Sequence, residues 1–320
     1  MERRADIRLE AVSKAFGDQV ASLVAQHRPN IVLSTSSIPV SQGGYPVPRF
    51  FYTDATLKLL GGYAGMDQLT DAAKREATEI ERSALHNSSL SFYSSEWARE
   101  SAIKDYDANP DRVRVVPFGA NLDSPPESAT VEASIAARSR TQLDLLFIGK
   151  EWDRKGGDKA VKVTQNLRDR GLDARLCILG TMPEGHESMP DWVTSLGFVS
   201  KKTAEGRARI GEIFGSQHFF LLPTKADCTP IVYAESSAYG LPSITHRVGG
   251  VSSMVEDGEN GLLFAPDSAP SEMADAIEAT FRDQARYEEL CRSSRRRYET
   301  HLNWDSVAAE LLRQIQATIG

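Results

Sequence analysis

Short, mostly apolar runs alternate with helical stretches along the second half of the chain. The apolar runs fall at residues 143–149, 174–180, 193–199, 218–223, 242–246 and 260–264. Runs that are apolar on both faces are typical of strands in a parallel sheet covered by helices on both sides. The strand–helix alternation therefore predicts a doubly wound α/β domain.

The first half shows the same alternation with fewer strands. It predicts helices near 8–26, 70–85 and 95–105, and strands at 30–34, 49–54, 89–94 and 112–119. A polar stretch with tandem prolines separates the halves and is typical of an interdomain linker. We therefore predict a first Rossmann-like domain at 1–122, a linker at 123–141, a second domain at 142–298, and a final helix at 299–320 that packs back on the first domain.

Composition narrows the class of protein. The 320 residues are 41% hydrophobic and 25% charged with a net charge of −7, which is ordinary for a globular domain and argues against a nucleic-acid binder. Three scattered cysteines give no disulfide framework, and the six histidines show no metal-ligand spacing, so no metal site is predicted. With no signal-peptide pattern or membrane-length apolar run, we expect a cytoplasmic protein.

The stretch "ADCTPIVYAESSAYGLP" (226–242) carries the first candidate site. Thr229 and Pro230 indicate a helix start, with threonine as N-cap and proline at the first helical position. The amides of Ile231 and Val232 would then face an anion such as a phosphate. Asp227 and Glu235 suit sugar hydroxyls, because an ionised carboxylate accepts several hydrogen bonds. Alternatively, Asp227 is a loop acid and Glu235 only favours the helix start.

Two glycine turns accompany this stretch. In "FIGKEWDRKGGDK" (147–159), a strand is followed by Lys150, Arg154 and Lys155, then by Gly156 and Gly157. Glycines allow the backbone close to a diphosphate and the cations neutralise it, although a basic loop is more often solvated surface. A second glycine turn opens "RVGGVSSMVEDGENGLLF" (247–264).

In this order, these motifs together with "LGFV" resemble the retaining glycosyltransferases of family 4, which have the GT-B fold of two Rossmann-like domains facing a cleft. The resemblance covers residues 142–320 well and extends to 88–123. It implies that Asp227 holds the hydroxyls of the donor sugar and Glu235 the ribose of a nucleotide. Lys155 and Lys150 correspond to the basic pair at the diphosphate, and Val199 to the backbone contact with the base.

The resemblance also implies an activity. We expect sugar transfer from a nucleotide diphosphate sugar to a saccharide or glycolipid, with retention of configuration and without a metal or other cofactor. The resemblance places such chemistry in polysaccharide biosynthesis, with peripheral membrane contact at the inner face as a further expectation. A sugar phosphorylase or epimerase of the same fold remains an alternative. So does a donor-binding module that is inactive without a partner chain.

The acceptor side is less defined. The family ordinarily begins with a strand and a glycine-rich loop, whereas this sequence opens on a helix, so we expect either a fragment of a longer protein or a naturally shortened form. A shortened sheet exposes an edge, which predicts a homodimer or a partner chain there. Asp54 is a candidate for orienting the acceptor, or else it caps the next helix. The loop at 34–45, with Gly43 and Gly44, is a candidate acceptor wall or an ordinary mobile loop.

Overall fold

The structure, a computed structural model of the chain, describes residues 9–42, 44–61, 69–182 and 189–320. The chain divides into two compact units, one made of Met1–Pro117 with Ala308–Gly320 and the other of Phe118–Val307. A parallel sheet of four strands lies in the first unit and one of six strands in the second. The predicted α/β class is confirmed.

The first unit has the strand order β1-β2-β3-β4. Its strands are β1 Val32–Ser34, β2 Arg49–Thr53, β3 Leu90–Tyr93 and β4 Val113–Val115, and its helices are α1 Leu9–His27, α2 Ile38–Ser41, α3 Asp71–Asn87 and α4 Glu96–Tyr106. The central strands bury Phe50, Phe51, Phe92 and Tyr93 completely, which fixes these strands between helices. The predicted strands and helices of this half are present, within a few residues at most ends.

The second unit has the order β10-β9-β8-β5-β6-β7, all parallel. Its strands are β5 Gln142–Gly149, β6 Asp173–Gly180, β7 Val193–Gly197, β8 Phe219–Leu222, β9 Ser243–His246 and β10 Gly261–Phe264. Its helices are α5 Ser128–Ala137, α6 Trp152–Lys155, α7 Gly157–Asp169, α8 Ala204–Ser216, α9 Val232–Ala238, α10 Val251–Met254, α11 Pro270–Arg282 and α12 Gln284–Thr300. The last helix of the chain is α13 Trp304–Ile319, and its residues from Ala308 onward are grouped with the first unit. The order in which the chain adds strands reverses between β5 and β8.

The stretch predicted as a linker contains a helix. Helix α5 buries Val131 and Ile135 in the core of the second unit. Its alanine-rich sequence favours a helix, and the tandem prolines lie before its first turn. Arg138 follows it and donates from Nη1 to the carbonyl of Gly240 at 3.0 Å, which ties the segment to the second unit. The polar residues that suggested a linker therefore lie on the exposed face of this segment, and its apolar face is buried.

The predicted acceptor loop at 34–45 also contains a helix, α2. Its Val40 is fully buried, and the hydroxyl of Ser41 lies 2.6 Å from that of Ser13 on α1. This part of the loop therefore packs into the first unit through Val40 and Ser41. Within the described residues, no helix is both long enough and apolar enough to cross a membrane.

Glu81 on α3 is a buried carboxylate in the first unit, 1% exposed. Its Oε2 accepts from the backbone N–H of Leu57 at 2.7 Å, and its Oε1 accepts from the hydroxyl of Tyr93 at 3.1 Å. No cation among the described residues pairs with it. Burial raises the pKa of Glu81 to about 7, although its hydrogen bonds oppose this shift.

We expect Glu81 to make the stability of the chain depend on pH. Because the folded-state pKa near 7 exceeds the ordinary value of 4.5, its stabilising contribution is complete below pH 4.5 and is lost as the pH rises through 7. Between about pH 4.5 and 8, the free energy of unfolding of the wild type should fall relative to that of Glu81→Gln by about 3 kcal/mol. Urea unfolding across this range measures the difference.

The control is Glu79→Gln on the same helix, whose side chain is 67% exposed. This variant should follow the wild type at every pH. If the free energy of unfolding of Glu81→Gln changes with pH in the same way as that of the wild type and of Glu79→Gln, the assignment of the pH dependence to Glu81 is wrong.

Candidate functional site

The carboxyl ends of β5 and β8 bring two predicted loops together. These strands are neighbours in the sheet, and the chain order reverses between them. Ligands of doubly wound sheets bind at such a switch point, because the loops after the two strands diverge there. Helix α6, with Lys155 at its end, follows β5, and the loop with Asp227 follows β8. The switch point thus lies between the two strongest sequence motifs.

Lys155 forms an ion pair with Asp227 across this switch point. The Nη1 atom of Arg154 lies 3.3 Å from the same carboxylate oxygen, Oδ2, and donates to the carbonyl of Ala226 at 2.8 Å. The Lys155 and Asp227 side chains are only 15% and 13% exposed, so their attraction is weakly screened. Asp227 is therefore held by two cations, of which sequence reasoning chose only Lys155.

Arg154 is shared between two acids. Its Nε donates to Glu151 Oε2 at 2.8 Å and its Nη2 donates to Glu151 Oε1 at 2.7 Å, a bidentate pair. Hydrogen bonding to Glu151 is the main cause that raises the pKa of Arg154, with Asp227 adding to it. Glu151 therefore neutralises the charge of Arg154, whereas Lys155 is paired with Asp227.

Two glycines permit the close approach of these loops. Gly156 has φ +78°, and a Cβ atom on it would lie 2.1 Å from the carbonyl oxygen of Pro223. Gly249 has φ +50°, and its Cβ would lie 2.0 Å from the carbonyl oxygen of Asp227. The N–H of Gly250 donates to that same oxygen at 3.1 Å. The second glycine turn therefore fixes the backbone of Asp227.

Helix α9 begins later than the sequence predicts. It starts at Val232 with Ile231 as the N-cap residue, so the prediction of Thr229 as N-cap and Pro230 as first helical residue is wrong. The carbonyl of Pro230 accepts from the N–H of Tyr233 at 3.1 Å, forming a turn before the helix. Thr229 lies in the preceding loop and is 8% exposed.

The predicted amide donors remain available at this end. Across the described part of the chain, the N–H groups of Ile231 and Val232 donate to no protein acceptor. Helix α9 has only seven residues, so its dipole is small. An anion at this end would therefore be bound mainly by hydrogen bonds from the two amides.

Glu235 is held by a lysine that sequence reasoning missed. Glu235 is 5% exposed, and its Oε1 forms an ion pair with Nζ of Lys201, which follows β7. The available signal was the basic pair Lys201–Lys202, which begins two residues beyond Val199 at the carboxyl end of a strand.

The loop after β7 also meets the loop after β5. The Nζ atom of Lys150 lies 5.0 Å from the ring centroid of Phe198, a cation–π contact, and Phe198 is 67% exposed. Val199 comes next and is half-buried. Lys150 therefore contacts the β7 side of the switch point, whereas Lys155 contacts the β8 side.

The acceptor-side candidates lie in the first unit. Asp54 directly follows β2, and the next turn, Lys58–Leu60, has Leu57 as its N-cap residue without a side-chain cap. Gly44 has φ +121° and open space around it, and Gly43 lies outside the described residues. None of these observations tests an acceptor role. Among the described residues, no cluster of three or more His, Cys, Asp or Glu side chains suits a metal ion.

We expect Gly249→Ala to destabilise the second unit by moving the loop that holds Asp227. The control is Gly258→Ala, because Gly258 has φ +78° but a Cβ atom on it would meet no other atom within 4 Å. Both variants share the cost of a positive φ, and only Gly249→Ala adds the steric overlap, about 1–3 kcal/mol. The free energies of unfolding in urea measure this difference, and equal losses in the two variants would contradict it.

Comparison with known proteins shows which family the second unit is similar to. The family described as Glycosyl transferases group 1 matches residues 142–283, which include the β5, β7 and β8 loops and α9. The D-inositol 3-phosphate glycosyltransferase of Xylanimonas cellulosilytica is 28% identical over 233 residues, which are 67% of this chain and 53% of that protein. The chain thus spans about half the length of this relative.

Solved structures share the fold. The sucrose-phosphate synthase of Thermosynechococcus elongatus superposes with a TM-score of 0.69 at 18% identity, covering 99% of this chain and 81% of that one. HepE of Anabaena, solved in complex with UDP-glucose, gives 0.63 at 13% identity, with 94% and 81% covered. The predicted resemblance to family 4 and the predicted fold are confirmed.

Proposed function

We propose that this chain, a family 4-like glycosyltransferase with its group 1 match at residues 142–283, transfers a sugar from a nucleoside diphosphate sugar to an acceptor hydroxyl. The observation that carries the proposal is the Lys155–Asp227 ion pair at the β5/β8 switch point. It puts a cation for the diphosphate beside a carboxylate for the sugar. The complex of HepE with UDP-glucose supports this class of donor.

The leaving diphosphate is the group that needs stabilisation. Negative charge grows on it as the bond to the sugar breaks, and groups aimed at that charge lower the barrier. Lys155 and the amides of Ile231 and Val232 are the donors in this site that suit it. When Lys155 turns toward the diphosphate, Arg154 still holds Asp227.

Asp227 would then accept hydrogen bonds from hydroxyls of the donor sugar. A carboxylate whose Oδ2 lies against two cations is a weak nucleophile, so we favour this role over covalent attack on the sugar. Transfer on one face of the donor, with retention of configuration, follows as part of the proposal. The acceptor class we propose is a saccharide or glycolipid hydroxyl, consistent with relatives that are named for sugar transfer.

Substitution of the two acids separates binding from transfer. Glu235→Ala should weaken binding of the nucleoside diphosphate about tenfold or more, because hydrogen bonds to a charged group are lost. Asp227→Ala should lower the rate of transfer more than nucleotide affinity. Calorimetry with UDP, GDP and ADP measures affinity, and a product assay that resolves transfer, phosphorolysis and epimerisation measures the reaction.

The control is Glu205→Ala, an exposed acid in the first turn of α8, which should change neither quantity. Negligible effects from both site variants would overturn the assignment. Nucleotide binding without any transfer would instead favour a donor-binding module.

Retention and metal independence have their own test. The anomeric configuration of the product, read by NMR, should match that of the donor, because the leaving group departs and the acceptor arrives on the same face. Excess EDTA should leave the rate unchanged, because Lys155 and the two amides supply the charge stabilisation. An inverted product would exclude the one-face reaction, and a rate abolished by EDTA and restored by Mg²⁺ would exclude metal independence.

A further inference from the structure

The ion pair between Lys201 and Glu235 joins two loops of the second unit. Lys201 lies four residues after the end of β7, and Glu235 lies on α9, 34 positions along the chain. The pair is asymmetric, because the glutamate side chain is 6% exposed and the lysine side chain 45%. The glutamate is therefore the buried partner of the pair, and the lysine is the partner that solvent reaches.

A carboxylate that is buried in its ionised form is stabilised by a partner of opposite charge. Without one, it loses the solvation of water and gains nothing in return, which is strongly unfavourable. Lys155 is engaged with Asp227, and Lys150 lies against Phe198. Over the described ranges, Lys201 is the one cation paired with Glu235.

The position of Lys201 is itself fixed by the backbone. Its carbonyl accepts from Nη1 of Arg207 at 2.9 Å, one turn into α8. Thr203 caps the same helix, accepting from the N–H of Gly206 at 3.1 Å. The lysine also lines a cavity of about 1360 Å³ between α5 and α8. The loop is thus anchored while the head of the side chain remains reachable.

The contact uses one carboxylate oxygen. Lys201 binds Oε1, and a carboxylate offers about four acceptor sites over its two oxygens. Oε2 has no protein partner within the described ranges of the chain. An ammonium fixed on Oε1 sets the orientation of the carboxylate and leaves Oε2 to accept from a ligand hydroxyl.

We propose that Lys201 is a positioning residue that orients Glu235 for the ribose hydroxyls of the nucleotide, and that it thereby sets the preference for ribose over deoxyribose. This inference rests on the proposed function. Lys201 acts through Glu235, so its removal should affect ligands with and without the hydroxyl to different degrees.

The experiment compares each of UDP, GDP and ADP with its 2′-deoxy and 3′-deoxy form by calorimetry on the full chain. The wild type should prefer the ribose form of its best ligand about tenfold or more over at least one deoxy form. Lys201→Met should reduce that preference to near one, and Lys201→Arg should largely restore it. Lys202→Met is the matched control and should retain the wild-type preference.

A double-mutant cycle shows whether Lys201 acts through Glu235. In a Glu235→Gln background, the further change Lys201→Met should leave the ribose preference unaltered. Thermal unfolding of each variant accompanies the titrations, and a general loss of folding would lower the affinity for both forms of the ligand equally.

The outcomes distinguish a failure of the proposed function from a failure of the inference about Lys201. A wild type that binds none of the three nucleotides overturns the proposed function and the role of Lys201 with it. A ribose preference that Glu235→Gln abolishes but Lys201→Met leaves intact overturns the inference alone. An equal loss for ribose and deoxyribose forms in Lys201→Met also overturns it, because that result describes a structural lysine.

Discussion

The ion pair between Lys155 and Asp227 is the contact on which the rest of the second unit's site depends. It closes the gap between the loops after β5 and β8, and it requires both backbones to approach closely. Gly156 and Gly249 make that approach possible, since a side chain at either position would overlap a neighbouring carbonyl. The strand order places the loops at the same sheet edge, and the charges select one arrangement of them.

The two units each bury a glutamate, and they stabilise it in different ways. Glu81 receives only neutral donors, among them the amide of Leu57 and the hydroxyl of Tyr93, and burial raises its pKa to about 7. Glu235 instead receives an ammonium from Lys201. A neutral network suits a carboxyl that joins structural elements, because it persists when the group is protonated. An ion pair suits a carboxylate that must present charge to a ligand.

The paired charges and the tightly packed glycines lie in the second unit. The group 1 match covers residues 142–283, and the paired charges and close-packed glycines lie within it. The first unit shares the parallel α/β construction, but nothing around its candidate acceptor residue, Asp54, indicates a ligand among the residues that the structure describes. The contacts that support donor binding therefore lie in the second unit.

Local signals in the sequence were sufficient to predict the strands of both sheets, but they missed helices α2 and α5 and placed the start of α9 too early. Uniformly apolar runs such as Phe219–Leu222 became buried strands, and Asp227 with Lys155 were chosen from their places after strands. Tertiary structure alone decided the pairing of Glu235 with Lys201, the burial of Glu81, and the packing of α5 into the core. The physical reason is that periodicity and capping act over a few residues. Ion pairs between distant loops depend on strand order and crossing geometry, which no short stretch of sequence contains.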